Sequence, residues 1–189
     1  MKINLILLAA GNSKRFNGNK LITHIKGKPM YMHIVNKVIL MDFNKIICVT
    51  QYDEIKNNLL NTNINLIANP NSKLGISTSI KLGINVDKSA DAYMFMVCDQ
   101  PFIRRETLEE LISLFKRTNK GIVCIGNGEI TGNPVIFSKK YIDELLDLEG
   151  DTGGKKVVNK HLNDLEVLQV NNKIELVDID TKEKLAQLT

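Results

Sequence analysis

Six polar residues and a glycine stand where apolar runs break off, and their types suit chemistry on phosphate. The run Ile3–Ala9 gives way to Gly11, Ser13, Arg15 and Lys20; Tyr93–Val97 leads to Asp99; Asp178 and Asp180 close the stretch that begins at Ile174. Small residues after a strand let backbone N–H groups approach anionic oxygens, and fixed cations neutralise them. The loop Ala9–Lys20 therefore reads as a polyphosphate cradle, or as an ordinary polar turn. It is neither a GxxxxGK[ST] loop nor a GxGxxG fingerprint. Asp99 either holds a hard divalent cation such as Mg²⁺ that bridges phosphate oxygens, or opens a turn before Pro101. Asp178 and Asp180, at i and i+2, share one face of an expected strand. Their mutual repulsion would be relieved by a metal. Alternatively Asp180 or Thr181 caps the last helix, since Glu183 stands three residues after Asp180.

Two further places carry glycine beside polar groups. Lys73-Leu-Gly75-Ile-Ser77-Thr-Ser79 opens a helix, where a base or ribose could be read, or where Ser77 serves as cap. Thr131-Gly132-Asn133-Pro134 and Gly150-Asp151-Thr-Gly153-Gly154-Lys155 are polar turns in which the backbone can approach a bulky ligand. His24 and His161 have no partners at metal-ligand spacing, and His33, among apolar residues of an expected helix, reads as a packed rather than a catalytic side chain.

These residues need a scaffold that brings strand ends together. Strands are expected at Ile3–Leu8, Lys45–Thr50, Ile64–Ala68, Ala92–Cys98, Ile122–Ile125, Pro134–Phe137, Glu166–Val170 and Ile174–Ile179. Helices are expected at Met30–Leu40, Ile76–Ile84, Glu106–Thr118, Lys139–Leu146, Gly154–His161 and Thr181–Gln187. The alternation predicts an α/β fold: a single Rossmann-like three-layer domain over residues 1–189, mainly parallel, with helices on both faces. Ligands of such sheets sit beyond the carboxyl ends of the strands.

Bulk properties narrow the classes. The net charge is only +4, with lysines spread along the chain, which argues against a nucleic-acid partner and suits an anionic small molecule. No apolar run approaches the roughly 20 residues of a membrane helix. The N-terminal run leads into a charged loop rather than a cleavage site. Cys48, Cys98 and Cys124 lie in strand-like runs without a CxxC pair, as expected of reduced thiols in the cytoplasm.

Taken in order, these places resemble the MobA-like nucleotidyltransferases, most closely the branch of molybdenum cofactor cytidylyltransferases. The resemblance rests on Leu8-Ala9-Ala10-Gly11-x-Ser13-x-Arg15-Phe16 with Lys20, then Gly75-x-Ser77-x-Ser79, Asp99-Gln100-Pro101, Gly132-Asn133-Pro134, Gly150-Asp151-x-Gly153 and Asp178-x-Asp180-Thr181. It implies a nucleotide-diphospho-sugar-transferase-like fold and a Mg²⁺-dependent transfer of CMP from CTP to molybdopterin cofactor, with release of pyrophosphate. It implies catalytic roles for Arg15, Lys20 and Asp99. Nucleotide binding falls on Leu8, Ala9, Ala10, Gly11, Ser13, Arg15, Lys20, Gly75, Ser77, Ser79 and Asp99. Acceptor binding falls on Gln100, Pro101, Gly132, Asn133, Asp151, Gly153 and Lys155, and metal binding on Asp99 with Asp178 or Asp180. Docking on a molybdoenzyme is implied as well. Ala10 suits the cytidylyl branch, since guanylyl relatives tend to carry Gly there.

The chain departs from the family pattern at Asn17, which precedes Gly18, at Asn133, and at Gly154-Lys155. Lysine in place of arginine keeps charge and loses the bidentate fork. The alternatives are a GTP donor, a sugar-phosphate acceptor, or a non-catalytic cofactor-binding accessory protein.

Overall fold

The computed structural model describes residues 1–13, 15–16 and 18–188. The expectation placed on Asn17 lies outside them. In chain order the elements are β1 (Ile3–Ala9), a small hairpin of β2 (His24–Ile25) and β3 (Lys28–Pro29), α1 (Met30–Val38), β4 (Lys45–Thr50), α2 (Asp53–Leu59), β5 (Asn65–Ala68) and α3 (Ile76–Asn85). Then come β6 (Ala92–Val97), α4 (Arg105–Arg117), β7 (Ile122–Asn127), β8 (Ile130–Ser138), α5 (Ile142–Leu146), α6 (Lys155–Lys160), β9 (Leu165–Gln169) and α7 (Lys182–Leu188). Among the described residues seven strands form one sheet in the order β5-β4-β1-β6-β8-β7-β9. Only β8 runs against its neighbours. The observed sheet is thus the mainly parallel α/β sheet expected.

β1 is central because it is apolar on both faces. Alternating side chains point to opposite sides. Leu5, Leu7 and Ala9 pack with Ile34 and Val38 of α1 and Leu108 and Leu111 of α4. Ile6 packs on the other face with Ile80 and Ile84 of α3 and Val157 of α6. Burying each such side chain contributes about 1.5–3 kcal/mol. The α3 helix lies so close that a Cβ on Gly83 would come within 2.5 Å of Ile6 Cγ2. A larger residue there would push the helix, and with it the Gly75–Ser79 turn, off the sheet.

The register sets Leu8 beside Val49 and Val97, and Ala9 beside Thr50. The loops after β1, β4 and β6 therefore leave the sheet at one edge, the edge where the sequence places its cations and Asp99.

Several elements differ from expectation: the hairpin of β2 and β3 is not among the expected strands, and Thr131, Gly132 and Asn133, expected in a polar turn, lie within β8, which pairs with β7 from Ile130 onward. The helix α2 is too short to show a clear period, yet Ile55 and Leu59, four apart, bury its inner face. Ile174–Ile179 is not a strand. Asn172 caps a 3₁₀ turn at Lys173–Leu176 by accepting from Ile174 N at 3.1 Å. The fully buried Glu175 carboxylate accepts from Arg104 N (3.0 Å), Arg104 Nε (2.9 Å) and Thr107 Oγ1 (2.6 Å). These bonds, made to the N-terminus of α4, hold the segment away from any sheet edge. It then passes beside the end of β6, where Ile179 N donates to Asp99 O at 2.9 Å.

Candidate active site

The loop after β1 is shaped by its own polar groups. Ser13 has a positive φ of 48° and accepts from Phe16 N at its carbonyl (3.0 Å) and from Lys20 N at its Oγ (3.3 Å). Phe16 is buried and pins the loop to the core. Asn19 caps the short turn Lys20–Ile22, which aims the Lys20 side chain inward.

Four charged groups converge there. Lys20 Nζ lies 2.5 Å from Asp99 Oδ2 and 2.8 Å from Asp180 Oδ1, and Arg15 Nη2 lies 2.7 Å from Asp180 Oδ2. Burial alone would lower the Lys20 pKa, but Asp99 and Asp180 outweigh it and raise the pKa above its ordinary value. Burial alone would raise the Asp180 carboxyl; the Lys20 ammonium and then Arg15 hold it below the usual range. Asp178 goes the other way: burial, with the Asp99 and Asp180 carboxylates beside it, pushes it up to about 6.

The other oxygen of Asp99, Oδ1, is buried with no hydrogen-bond partner. A buried unpaired carboxylate oxygen is costly and calls for a ligand. Among the described residues no three His, Cys, Asp or Glu side chains make a ready-made metal site. Mg²⁺ is usually held by one or two carboxylates plus substrate phosphates, so the oxygen donors present fit a cation that arrives with a phosphorylated ligand.

The cluster lines a cavity of about 610 Å³ that also takes in Leu8, Ala10, Gly11, Ser13, Gly75, Ser79 and Asp151. A second cavity of about 360 Å³ lies against it across Leu8, Ile76 and Val97, and holds Gln100, Gly132, Asn133, Gly153, Lys155 and Asp178. A close backbone contact backs the lining of the first cavity. Gly75, at φ 107°, packs so that a Cβ would come within 2.3 Å of the Gly150 carbonyl. Ser77 Oγ donates to Gly150 O at 2.8 Å.

The structure thus brings most of the expected residues to two adjoining cavities and moves several. Ala9 is fully buried and lines neither; its carbonyl accepts from Thr50 Oγ1 at 2.9 Å. Ser77 is neither cap nor cavity lining, because its hydroxyl is turned to Gly150. Pro101 is buried, with its carbonyl accepting from Lys37 Nζ at 2.6 Å. Asp151 lines the first cavity rather than the second, where Gln100, Gly132, Asn133, Gly153 and Lys155 lie, and accepts from Ile76 N at 3.4 Å. Asp178 and Asp180 do not share a strand face: with Ile179 buried between them, Asp180 joins the first cavity and Asp178 the second. Thr181, not Asp180, caps α7, accepting from Lys184 N at 3.2 Å. Asn12, Gln51 and Tyr52 carry no signal in the sequence, and Lys73, part of the helix-opening segment, has no role assigned to it there. Lys73 is a cation beside Gly75 on the first cavity's rim, a position its place in the helix-opening turn could have suggested.

An open α/β sheet with its cavities beyond the carboxyl ends of the strands belongs to the class of folds that bind ligands at that edge. Residues 5–165 match the MobA-like NTP transferase domain, and the chain belongs to that family. A probable molybdenum cofactor guanylyltransferase of Thermococcus sibiricus is 27% identical over 150 residues, 73% of this chain and 70% of that protein. The bifunctional protein GlmU of Oceanobacillus iheyensis is 28% identical over 116 residues, 60% of this chain; the match spans about a quarter (26%) of that GlmU. In structure, Rv0371c from Mycobacterium tuberculosis has a TM-score of 0.84 at 21% identity, covering 100% of this chain and 98% of that one. A second structure of Rv0371c is a complex with manganese. The structural likeness shows the fold. Among the described residues no helix is long and apolar enough to cross a membrane.

Proposed function

We propose that the chain is a nucleotidyltransferase that moves CMP from CTP to the terminal phosphate of molybdopterin cofactor. The single observation that carries this reading is the convergence of Arg15, Lys20 and Asp99 on one cavity at the strands' carboxyl edge. An acceptor phosphate oxygen forms a bond to the α-phosphorus. The bond from that phosphorus to the α–β bridging oxygen breaks, and pyrophosphate leaves with the electron pair. Both reactants are anions, so their repulsion is the main obstacle, and positioned cations are the remedy.

In this reading Arg15 and Lys20 exchange their carboxylate partners for the triphosphate. The loop backbone of Gly11 and Ser13 approaches the phosphates, while Ser79 and Gly75 face the nucleoside. Asp99, with Asp180 once Lys20 has left it, would hold a divalent cation, which supplies charge neutralisation across the phosphate oxygens when bound. Gln100, Gly132, Asn133, Gly153 and Lys155 of the second cavity receive the acceptor, and Asp178 lines the same cavity. No general base is required, because the attacking phosphate is already ionised. Ala10 supports CTP as donor.

A second reading keeps the fold and the acceptor and takes GTP; the Thermococcus sibiricus relative favours it. The experiment is incubation with molybdenum cofactor, Mg²⁺ and each NTP in turn, with mass analysis of the product and measurement of pyrophosphate. A cytidylylated cofactor is expected. A guanylylated product would replace the donor, and no adduct with any NTP would reject the reading.

A further inference from the structure

Three consecutive side chains hold three consecutive carbonyls of the cradle loop. At the end of β4, Thr50 Oγ1 donates to Ala9 O at 2.9 Å, Gln51 Nε2 donates to Ala10 O at 2.9 Å, and the Tyr52 hydroxyl donates to Gly11 O at 2.5 Å. Gln51 Nε2 also reaches Asn12 Oδ1 at 3.1 Å, and Asn12 Nδ2 donates to Ser72 O at 3.1 Å. Tyr52 N donates to Thr50 Oγ1 at 3.1 Å, which keeps the three donors in step.

In a trans peptide the N–H and C=O point in opposite directions. Fixing the carbonyls of residues 9, 10 and 11 toward 50–52 therefore turns the N–H groups of Ala10, Gly11 and Asn12 to the other side. Ala10, Gly11 and Asn12 line the larger cavity together with Arg15 and Lys20. A Cβ at Gly11 would meet no protein atom within 4 Å, so the fold packs nothing against that position. Successive N–H groups facing one side make an anion-binding concavity. A flipped peptide would present a carbonyl to phosphate instead, replacing attraction by repulsion.

We infer that Gln51 and Tyr52 are positioning residues for the nucleoside triphosphate, acting through the peptide planes of the loop rather than by touching the ligand. The inference rests on the nucleotide reading above. Thr50 is buried and serves the fold as well. Gln51 and Tyr52 lie partly open to solvent, and these bonds are the ones their side-chain donors make in the structure.

The test uses Tyr52→Phe, which removes one oxygen and keeps the ring, and the double variant Gln51→Leu/Tyr52→Phe. Binding of Mg·CTP and Mg·GTP is titrated without acceptor, and steady-state KM values are measured for donor and acceptor, with Tm as the check on folding. Loss of one hydrogen bond predicts donor binding weaker by about 2- to 10-fold for each residue, with the acceptor KM unchanged and the Tm lowered by no more than about 2–4 °C per bond, so that the protein stays folded at the assay temperature. Donor affinity in the double variant equal to wild type, or equal losses for donor and acceptor, would overturn the inference while leaving the nucleotide reading intact. A wild-type protein that binds no triphosphate would overturn both.

Discussion

Lys20 and Asp99, separated by 79 positions in sequence, meet at 2.5 Å with the Lys20 side chain only 10% exposed. The pair joins the loop after β1 to the end of β6, so one ammonium ties two strand ends together on the cavity wall. In the proposed reaction that ammonium neutralises the leaving pyrophosphate. Lys20→Ala is expected to lower kcat by about 10²–10³-fold, the usual cost of removing one preorganised group that stabilises developing charge. Steady-state kinetics with saturating NTP check this, and a kcat within a few-fold of wild type would contradict it.

Asp180 occupies both cations at once, with Lys20 on one oxygen and Arg15 on the other. The carboxylate thus stands where a phosphate would be welcomed. Asp180→Asn removes that competitor, and metal-free triphosphate is expected to bind a few-fold more tightly, in line with about 0.2–1 kcal/mol for a partly exposed ion pair. Mg²⁺-dependent turnover is expected to fall in the same variant. Calorimetric titration with and without Mg²⁺ reads both effects; weaker metal-free binding would refute the exchange of partners.

Gly75 is fixed by backbone and contact together. At φ 107° a side chain is strained, and its Cβ would lie 2.3 Å from the Gly150 carbonyl and 2.4 Å from Asp151 N. Gly75→Ala is expected to destabilise the fold by about 1–3 kcal/mol or more and to displace the lining of the first cavity beside it. Urea unfolding measures the first effect and donor KM the second. Wild-type values for both would show that the 150–151 turn moves aside freely.

Part of this site is legible in sequence and part is not. Gly11, Ser13, Arg15, Lys20 and Asp99 could be grouped because each follows an apolar run, and parallel sheets gather strand ends at one edge. The Asp178–Asp180 segment misled because its alternation mimics a strand. What overrides that alternation is Glu175 buried against Arg104 and Thr107, about 70 residues away. The placement of Ser77 and Asp151 likewise depends on the contact between Gly75 and Gly150, and the donors at 50–52 have no local signature at all. Such long-range contacts leave no trace in local periodicity.

The three cysteines are structural. Burial pushes the thiols of Cys48 and Cys124 up to about 12 and 11, and that of Cys98 well above its ordinary value. At pH 8 all three therefore remain protonated and enclosed, and the thiolate is the reactive form. The native protein is expected to resist iodoacetamide, and the unfolded protein to take up three equivalents. Rapid alkylation of the folded protein, read by mass spectrometry, would contradict the burial of these groups.

The central claim is that Asp99 shares one reaction centre with Arg15 and Lys20. Pyrophosphate release by wild type and Asp99→Ala, measured side by side with NTP, Mg²⁺ and molybdenum cofactor, tests it most directly. The account predicts release and a nucleotidylated product from wild type and neither from the folded variant. Near-normal turnover by Asp99→Ala would contradict it.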